Sequence, residues 1–167
     1  SGAGTGFATF GSSALAVGND GTLVADGPVD VQLTSSTFTN SATGRFEAHN
    51  GGAFEIGNGS RIVGGTLATS TGGEIRGISG GGTLDAVTNL GQVRLENGAD
   101  LTLAGAITND GDIELDSTGS TTDLFISGPV GLSGSGSLTL GSGFSNRVAA
   151  SGAGASLNQS DGHTIRG

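Results

Sequence analysis

Short runs of alternating apolar and polar residues extend along the whole chain, as in TLVADG, GRFEAH and GQVRLE. Alternation with a period of two residues is typical of β-strands that have one face in a core. One nine-residue phrase occurs twice in closely similar form, as VTNLGQVRL at 87–95 and ITNDGDIEL at 107–115. A phrase that recurs at a regular distance predicts a repeat architecture, in which each repeat is one structural unit.

When the two phrases are extended in both directions, the apolar positions fall into three columns. The first column is Leu15, Phe38, Ile62, Val87, Ile107, Val130 and Leu157. The second column is Leu23, Phe46, Leu67, Val93, Ile113, Leu138 and Ile165. The third column is Val31, Phe54, Ile75, Leu101, Leu124 and Val148. Because the three columns keep a similar period, we expect neighbouring repeats to pair strand on strand in parallel, with Val93 beside Ile113.

This pattern predicts an all-β fold, a right-handed parallel β-helix (β-solenoid) in a single segment over 1–167. We expect about seven coils of roughly 20–27 residues, each with three short strands, because a single coil cannot bury its own apolar residues. The length and irregularity of the coils favour the right-handed form over the left-handed form, which has a strict repeat of about 18 residues. An antiparallel sandwich would not lock three columns to one period. Since the chain starts at Ser1 without a signal peptide, we expect a fragment of a longer solenoid.

Glycine and asparagine mark the expected corners. A glycine stands two residues before the second column in six of the seven repeats, and His163 takes its place in the last. Glycine tolerates positive φ and therefore suits a tight turn. Asn40, Asn89 and Asn109 lie two residues after the first column, so we expect them at a corner, with some character of an internal amide ladder.

Composition and charge narrow the range of functions. The chain has 35 Gly, no Cys, Trp or Tyr, and a formal net charge of −9. An acidic chain without lysine is a poor match for nucleic acid or for an anionic membrane surface, and no apolar stretch is long enough to span a bilayer. The absence of cysteine excludes a disulfide framework and a thiolate site.

The stretches GGTLDAVTNLGQVRLENGADLTLAGAITNDGDIELDS and GSGSLTLGSGFSNRVAASGAGASLNQSDGHTIRG resemble repeats of bacterial autotransporter passenger regions and of filamentous-haemagglutinin-like surface proteins. The resemblance covers residues 60–167 best. It implies a right-handed β-helical stalk that is exported and displayed at the bacterial cell surface or released. Adhesive contact with a host or neighbouring-cell surface or glycan would then be made by flanking regions.

We therefore expect a structural stalk or scaffold segment of a secreted, adhesin-like protein, located outside the cell, and not an enzyme. The alternative from another class is a carbohydrate-active or carbohydrate-binding β-helix module of the tailspike or lyase type, although the chain lacks Trp and Tyr platforms for sugars. A third possibility is an extracellular fibre subunit, because open coil ends expose strand edges that allow self-association.

The only candidate for metal binding is an acidic stripe formed by Glu74, Asp100 and Asp123. These carboxylates precede the third column on consecutive repeats, so they are expected to stack about 5 Å apart. Stacked carboxylates collect a hard cation such as Ca²⁺, but calcium needs about six to eight oxygen ligands from several directions. We expect a solvated stripe, with no catalytic residue, cofactor or metal.

The remaining charged residues are expected to form surface pairs. The alternation in 110–116 points Asp112 and Glu114 outward, and it places Arg94 beside Glu114; Glu55 and Arg76 form a similar pair. The two histidines, His49 and His163, fall in different coils, so a Ser-His-Asp triad is not expected and both are interpreted as isolated surface residues.

Overall fold

The strands of this chain are short because glycine-rich turns interrupt the alternating runs every few residues. The computed structural model describes residues 6–143 and 145–167. In these residues twenty β-strands form parallel stacked coils, which make a β-solenoid of about seven turns. The described residues include no helix of the length and apolarity that a membrane span requires.

Strand β1 (Gly6–Phe10) precedes seven coils. Coil 1 contains β2 (Ala16–Asn19), β3 (Thr22–Asp26) and β4 (Val29–Leu33). Coil 2 contains β5 (Thr37–Asn40), β6 (Arg45–His49) and β7 (Ala53–Ile56). Coil 3 contains β8 (Ser60–Val63), β9 (Thr66–Ser70) and β10 (Glu74–Gly77), and coil 4 contains β11 (Gly82–Asp85), β12 (Thr88–Asn89) and β13 (Gln92–Leu95).

In the next two coils the first two strands run together around a corner. Coil 5 contains β14 (Asp100–Asn109) and β15 (Asp112–Leu115), and coil 6 contains β16 (Thr122–Ser133) and β17 (Ser137–Leu140). Coil 7 contains β18 (Asn146–Ala150), β19 (Ser156–Gln159) and β20 (Thr164–Arg166). The first corner of a coil lies between its first and second strands, and the second corner lies before its third strand.

The strands form two sheets. Sheet A has eight strands in the order β1-β4-β7-β10-β13-β15-β17-β20, which are the third strands of successive coils. Sheet B has twelve strands and carries the first and second strands of the coils. The pairing is parallel throughout the described residues, and Val93 lies opposite Ile113. The predicted parallel coil stacking is therefore confirmed.

The core runs the length of the solenoid between the two sheets. Inward residues of the interior strands are fully buried, among them Phe46, Ile75, Leu95 and Leu115, each with 0% of its surface exposed. Their outward neighbours are half-buried or exposed, as the burial pattern iBiB of β13 shows. The period-two alternation in the sequence is thus the alternation between core and outer face.

Within coils 1–3 and within coils 4–7 the predicted columns are correct. Between coils 3 and 4, however, each predicted column continues on the wrong strand of the next coil. The strands that carry the third column in coils 1–3 stack on the strands that carry the second column in coils 4–7, because Ile75 lies opposite Val93 and not in line with Leu101. Likewise Ile62 lies opposite Leu84, and Leu67 lies opposite Asn89. The expected coil length is also too long at this point, since the step from Ile75 to Val93 is only 18 residues.

This slip has a physical cause. The first corner of coil 1 has the sequence Asn19-Asp20-Gly21, and the second corner of coil 4 has the sequence Asn89-Leu90-Gly91. Both corners make the same Asx turn, in which the amide N–H of the glycine donates to the asparagine Oδ1. The same motif therefore occurs at two different corners, and the prediction treated them as one corner. In addition, the inward residue opposite Leu67 is the polar Asn89, which a pattern of apolar residues does not include.

Two column residues lie two positions away from the residue that is in register. Val17, not Leu15, lies opposite Phe38, and Leu132, not Val130, lies opposite Ile107. Each error is two residues, and a shift of two along a strand returns to the same face. The assignment of Val130 to the inward face therefore stands, whereas Leu15 precedes β2 and is 46% exposed.

Of the six expected corner glycines only Gly65 has positive φ. Close approach between coils, and not positive φ, requires glycine at 44, 91, 111 and 136, whereas a Cβ on Gly21 would meet nothing within 4 Å. Gly91, Gly111 and Gly136 do not have positive φ. A Cβ on Gly111 would fall well inside van der Waals distance of the carbonyl oxygen of Gly91, and a Cβ on Gly136 would meet that of Gly111 in the same way. The coils stack backbone on backbone at the second corner because no side chain separates them.

Candidate functional surfaces

The outer face of sheet A carries one arginine among four carboxylates. Strands β4, β7 and β10 direct their polar residues outward, and the guanidinium of Arg76 lies 2.7 Å from Glu74, 3.3 Å from Asp30, 3.7 Å from Glu55 and 3.8 Å from Glu96. The predicted pairing of Glu55 with Arg76 is confirmed. Burial, followed by the charge of Asp30, raises the pKa of Glu55. This cluster holds excess negative charge on the solvent side of the strands.

The predicted pairing of Arg94 with Glu114 is wrong. The two residues are in register, but the Arg94 guanidinium turns to Asp116 at 2.5 Å and approaches Glu74 at 3.9 Å. Glu114 instead accepts a hydrogen bond from Gln92 Nε2 at 3.4 Å. An outward carboxylate at the end of the strand competes with the one directly opposite, and these exposed contacts each contribute about 1 kcal/mol or less to stability.

The predicted acidic stripe is divided between the two sheets. Glu74 lies in sheet A, in register with Ala53, whereas Asp100 lies opposite Asp123 in sheet B. Arg147 donates two hydrogen bonds of 2.7 Å to the Asp123 carboxylate. Burial, together with the charge of Asp123, raises the pKa of Asp100. In the part of the chain that the structure describes, no group of three or more His, Asp or Glu residues is placed to hold a metal ion.

His49 takes part in a contact that the sequence analysis missed. Strands β6 and β9 place His49 opposite Ser70, and His49 Nδ1 lies 2.7 Å from Ser70 Oγ. On the other side of the ring, His49 Nε2 lies 3.4 Å from Glu47 Oε2. Arg45 also contacts Glu47 at 2.5 Å, and this hydrogen bond lowers the pKa of Glu47.

The three side chains Ser70, His49 and Glu47 give a nucleophile, a base and a carboxylate in sequence. They lie on the outer face of sheet B, where Ser70 is exposed and His49 and Glu47 are half-buried. The signal in the sequence was the separation of 21 residues between His49 and Ser70, which is one coil. The expectation that the two histidines do not meet still holds, because His163 lies in coil 7 and its ring contacts Asn109 of coil 5.

Buried asparagines form two amide ladders at two different corners, not one. At the first corner Asn19 Nδ2 donates to Asn40 Oδ1 at 2.8 Å. At the second corner Asn89 Nδ2 donates to Asn109 Oδ1 at 2.7 Å. The expected ladder character is thus confirmed, although Asn40 does not share a row with Asn89 and Asn109. We call Asn89, Asn109 and His163 the second-corner ladder.

His163 is buried, with 5% of its surface exposed, which overturns its assignment to the surface. Asn109 Nδ2 lies 3.0 Å from His163 Nε2 and also donates to the carbonyl oxygen of Ser137. Because Asn89 donates to Asn109 Oδ1, the orientation of the Asn109 amide is fixed and Nε2 must accept. The imidazole is therefore neutral, with its proton on a buried Nδ1 that has no hydrogen-bond partner among the described residues. Burial lowers the pKa of His163 accordingly.

The inward columns are exposed only in the end coils. At the N-terminal end Leu15 is 46% exposed, and at the C-terminal end Val148 is 37% and Ile165 is 39% exposed. Other inward residues at the ends are only partly buried, among them Phe10, Val17, Leu23 and Leu157. At the C-terminal end Val148, Ala150 and Leu157 also line a shallow recess with Ile126.

Comparison with protein-family models, with curated proteins and with solved structures finds no match for this chain. The assignment of function therefore depends on the geometry of the solenoid and of its surfaces.

Proposed function

We propose that this chain is a structural stalk or scaffold segment of a secreted or surface-displayed bacterial protein of the adhesin-like, autotransporter type. The observation that carries the proposal is the continuous eight-stranded ladder of sheet A over a core that is buried from coil to coil. Stacked coils of this kind set a length and a direction, and each coil depends only on its neighbours.

The outer faces support the same proposal. Their charged residues are engaged with each other in local networks, such as those of Arg76 and of Asp123 with Arg147. Such networks keep the outer faces of the strands soluble, and an excess of one charge opposes lateral association. In this proposal the chain needs no cofactor and performs no catalysis, and contact with a host surface, a neighbouring cell or a glycan is made by flanking regions.

A test of the scaffold is the removal of one whole coil. Deleting residues 93–112 joins Gln92 to Ile113, which is in register with Val93, and Asn89 takes the place of Asn109. We expect a folded chain that is shorter by about 4.8 Å along the stacking direction, measured by small-angle X-ray scattering. The matched control deletes only 93–102, which places a sheet B strand in sheet A, and this variant should unfold. Equal loss of structure in both variants would contradict the proposal.

Location is tested separately. Antibodies raised against the purified chain should label intact cells of the source bacterium, or its culture medium, without permeabilisation. Labelling that requires permeabilisation would place the parent protein inside the cell and would contradict surface display, even if the coil deletion behaves as expected.

A second candidate function, hydrolysis of an ester, is favoured by the contact between Ser70 and His49. In this reaction Ser70 Oγ attacks the carbonyl carbon while His49 Nδ1 takes its proton, and the Glu47 carboxylate stabilises the imidazolium. The ester C–O bond breaks as the His49 imidazolium gives its proton to the leaving alcohol. Water, deprotonated by His49, then cleaves the acyl-serine, which releases the acid and restores the Ser70 hydroxyl. The scaffold is better supported because Glu47 is already bound to Arg45 and the site lies on an exposed strand face. Turnover of a nitrophenyl ester that is lost in Ser70→Ala, with unchanged folding, would establish the hydrolase.

A further inference from the structure

Three Asn-Gly pairs lie at turns of the solenoid, namely Asn50-Gly51, Asn58-Gly59 and Asn97-Gly98. In such a pair the amide nitrogen of the glycine attacks the side-chain carbonyl carbon of the asparagine, because glycine has no Cβ that obstructs the approach. The reaction requires a glycine amide that is not held by another partner and an asparagine side chain that is able to turn toward it. The three pairs differ in how well the fold meets these requirements.

The pairs Asn50-Gly51 and Asn58-Gly59 are matched in backbone conformation and in exposure. The φ angles are 53° and 84° in the first pair, and 50° and 71° in the second pair. Each pair forms the two central residues of a turn that is closed by one backbone hydrogen bond, 2.8 Å long in the first turn and 3.0 Å long in the second. All four residues are exposed. A difference in reactivity between the two pairs must therefore come from the partners of their glycine amides.

Those partners are different. The Gly59 amide donates to the carbonyl oxygen of Gly81 at 2.7 Å and to that of Gly80 at 3.2 Å. The Gly51 amide has no hydrogen-bond acceptor among the residues that the structure describes. The nitrogen of Gly51 is therefore free to react, whereas the nitrogen of Gly59 must first break its two hydrogen bonds.

The third pair is held at both reacting groups. The Gly98 amide donates to Thr122 Oγ1 at 3.1 Å. Asn97 Oδ1 accepts hydrogen bonds from the backbone amides of Thr118 at 2.8 Å and Ser120 at 2.9 Å. These bonds fix the side chain of the asparagine and occupy the nitrogen of the glycine, so this pair is protected by the fold as well.

We infer that Asn50 is a site of spontaneous deamidation, a modification for which the chain itself supplies the nucleophile. The Gly51 nitrogen gives up its proton to solvent and attacks Asn50 Cγ, the bond from Cγ to Nδ2 breaks, and Nδ2 takes up a proton from water and leaves as ammonia. Water then opens the resulting succinimide ring at one of its two carbonyl carbons, which gives aspartate or isoaspartate at this position. The inference does not rest on the proposed role as a stalk.

The modification changes a contact between two coils. Asn50 Nδ2 donates to Asp26 Oδ1 at 2.8 Å, and this bond joins the second corner of coil 2 to that of coil 1. After deamidation a carboxylate stands where the donor was, and two carboxylates this close disfavour each other's charged form. Isoaspartate also adds a carbon atom to the backbone of the turn. Deamidation therefore weakens the second corner between coils 1 and 2.

The experiment incubates the purified, folded chain for several weeks at mildly alkaline pH and measures deamidation by peptide mass spectrometry. Cleavage after glutamate separates the three pairs into the peptides 48–55, 56–74 and 97–114. The same chain unfolded in guanidinium chloride is the matched control, because no amide is protected there. Two variants complete the set: Asn50→Gly removes the site and tolerates positive φ, and Asn50→Asp carries one of the two products.

In the folded chain Asn50 should deamidate about tenfold faster than Asn58 and Asn97, since a glycine amide that must first break its hydrogen bonds reacts more slowly. In the unfolded chain the three rates should be similar. Asn50→Gly should lose the fast reaction and keep the two slow ones. Asn50→Asp should melt at a lower temperature than the unmodified chain, as measured by circular dichroism.

Three results would overturn the inference. A rate at Asn50 that is equal to or below the rate at Asn58 in the folded chain would show that the free amide of Gly51 does not control the reaction. A preference for Asn50 that persists in guanidinium chloride would assign it to the neighbouring sequence and not to the fold. An Asn50→Asp variant as stable as the unmodified chain would show that the contact with Asp26 is not weakened. None of these outcomes bears on the coil-deletion test of the scaffold.

Discussion

Coil 2 and coil 5 have the same three-sided outline but different cores. In coil 2 each strand contributes one phenylalanine, and the rings of Phe38, Phe46 and Phe54 meet edge to face, with centroids 5.8 and 5.1 Å apart. In coil 5 the strands contribute aliphatic pairs, such as Leu101 with Leu103 and Ile113 with Leu115, and a buried Asn109 at the corner.

The shape of a coil is therefore set by its backbone and not by the side chains that fill its core. In β6 of coil 2 the large Phe46 is followed on the inward side by the small Ala48, whereas in β7 Phe54 is followed by Ile56. Coil 5 fills the same space with two residues of medium size in each strand. What the coils share is the parallel ladder and the corner glycine at the second corner, Gly52 in coil 2 and Gly111 in coil 5.

The largest effect is expected in the aromatic core of coil 2. Phe46→Ala removes the ring between Phe38 and Phe54 and leaves a cavity, which should lower the free energy of unfolding by about 3–5 kcal/mol. Urea unfolding followed by circular dichroism measures the loss. Phe125→Ala is the control, because Phe125 points outward and is half-buried. A loss below about 1 kcal/mol for Phe46→Ala would show that coil 2 does not depend on its rings.

The next effect is expected in the polar part of coil 5. Asn109→Ala leaves Asn89 Nδ2, the Ser137 carbonyl and His163 Nε2 without this partner. A buried polar group without its partner costs about 1–3 kcal/mol, so the free energy of unfolding should fall by about 2 kcal/mol or more. Asn158→Ala in the exposed strand β19 serves as the control and should be close to neutral. A neutral Asn109→Ala would mean that coil 5 is held by its aliphatic residues alone.

The corner glycines test what the two coils share. Gly52→Ala and Gly111→Ala both push a Cβ against the backbone of the preceding coil, at Ala25 and Gly91 respectively. Each should cost about 1–3 kcal/mol in thermal or urea unfolding, irrespective of the core beside it. Gly21→Ala should be tolerated, because a Cβ there meets nothing within 4 Å. Clearly unequal costs at Gly52 and Gly111 would show that the filling does influence the corner.

The smallest effect is a dependence on pH that belongs to the second-corner ladder. The pKa of His163 lies below its ordinary value of 6.5 because burial disfavours the imidazolium. The unfolded chain therefore takes up a proton at His163 first, and stability should be complete above pH 6.5 and fall as the pH drops below it. Melting temperatures measured from about pH 8 to about pH 5 should show a smaller loss in His163→Gln than in the unmodified chain. A His163→Gln profile identical to that of the unmodified chain would contradict this assignment.

Much of the fold could be predicted because each strand of a β-solenoid is specified by a short local pattern of residues. The alternation of QVRL in β13 and DIEL in β15 identifies inward and outward residues without reference to the rest of the chain. The pairing of Val93 with Ile113 follows from the distance between two similar phrases. The prediction failed to distinguish the first corner from the second, because Asn19 and Asn89 form the same Asx turn at different corners.

The surface contacts were less predictable, because a long side chain can reach any of several partners on the neighbouring coils. Arg94 lies opposite Glu114 in the ladder, yet its long side chain reaches Asp116 instead. The contact between His49 and Ser70 becomes visible only when the register of β6 and β9 is known. The burial of His163 depends on a partner in coil 5, two coils away, which no local pattern indicates.

The winding of the backbone determines how the chain responds to force. Hydrogen bonds between coils run along the stacking direction, while the covalent chain runs around it. A pull on the two termini therefore loads the bonds of the outermost coil first and leaves the interior coils unstressed. One released coil of 20 residues supplies roughly 65–70 Å of extended chain, whereas it occupied about 5 Å of the stack. A tether of this design lengthens in steps under load and dissipates energy at each step before any covalent bond is strained.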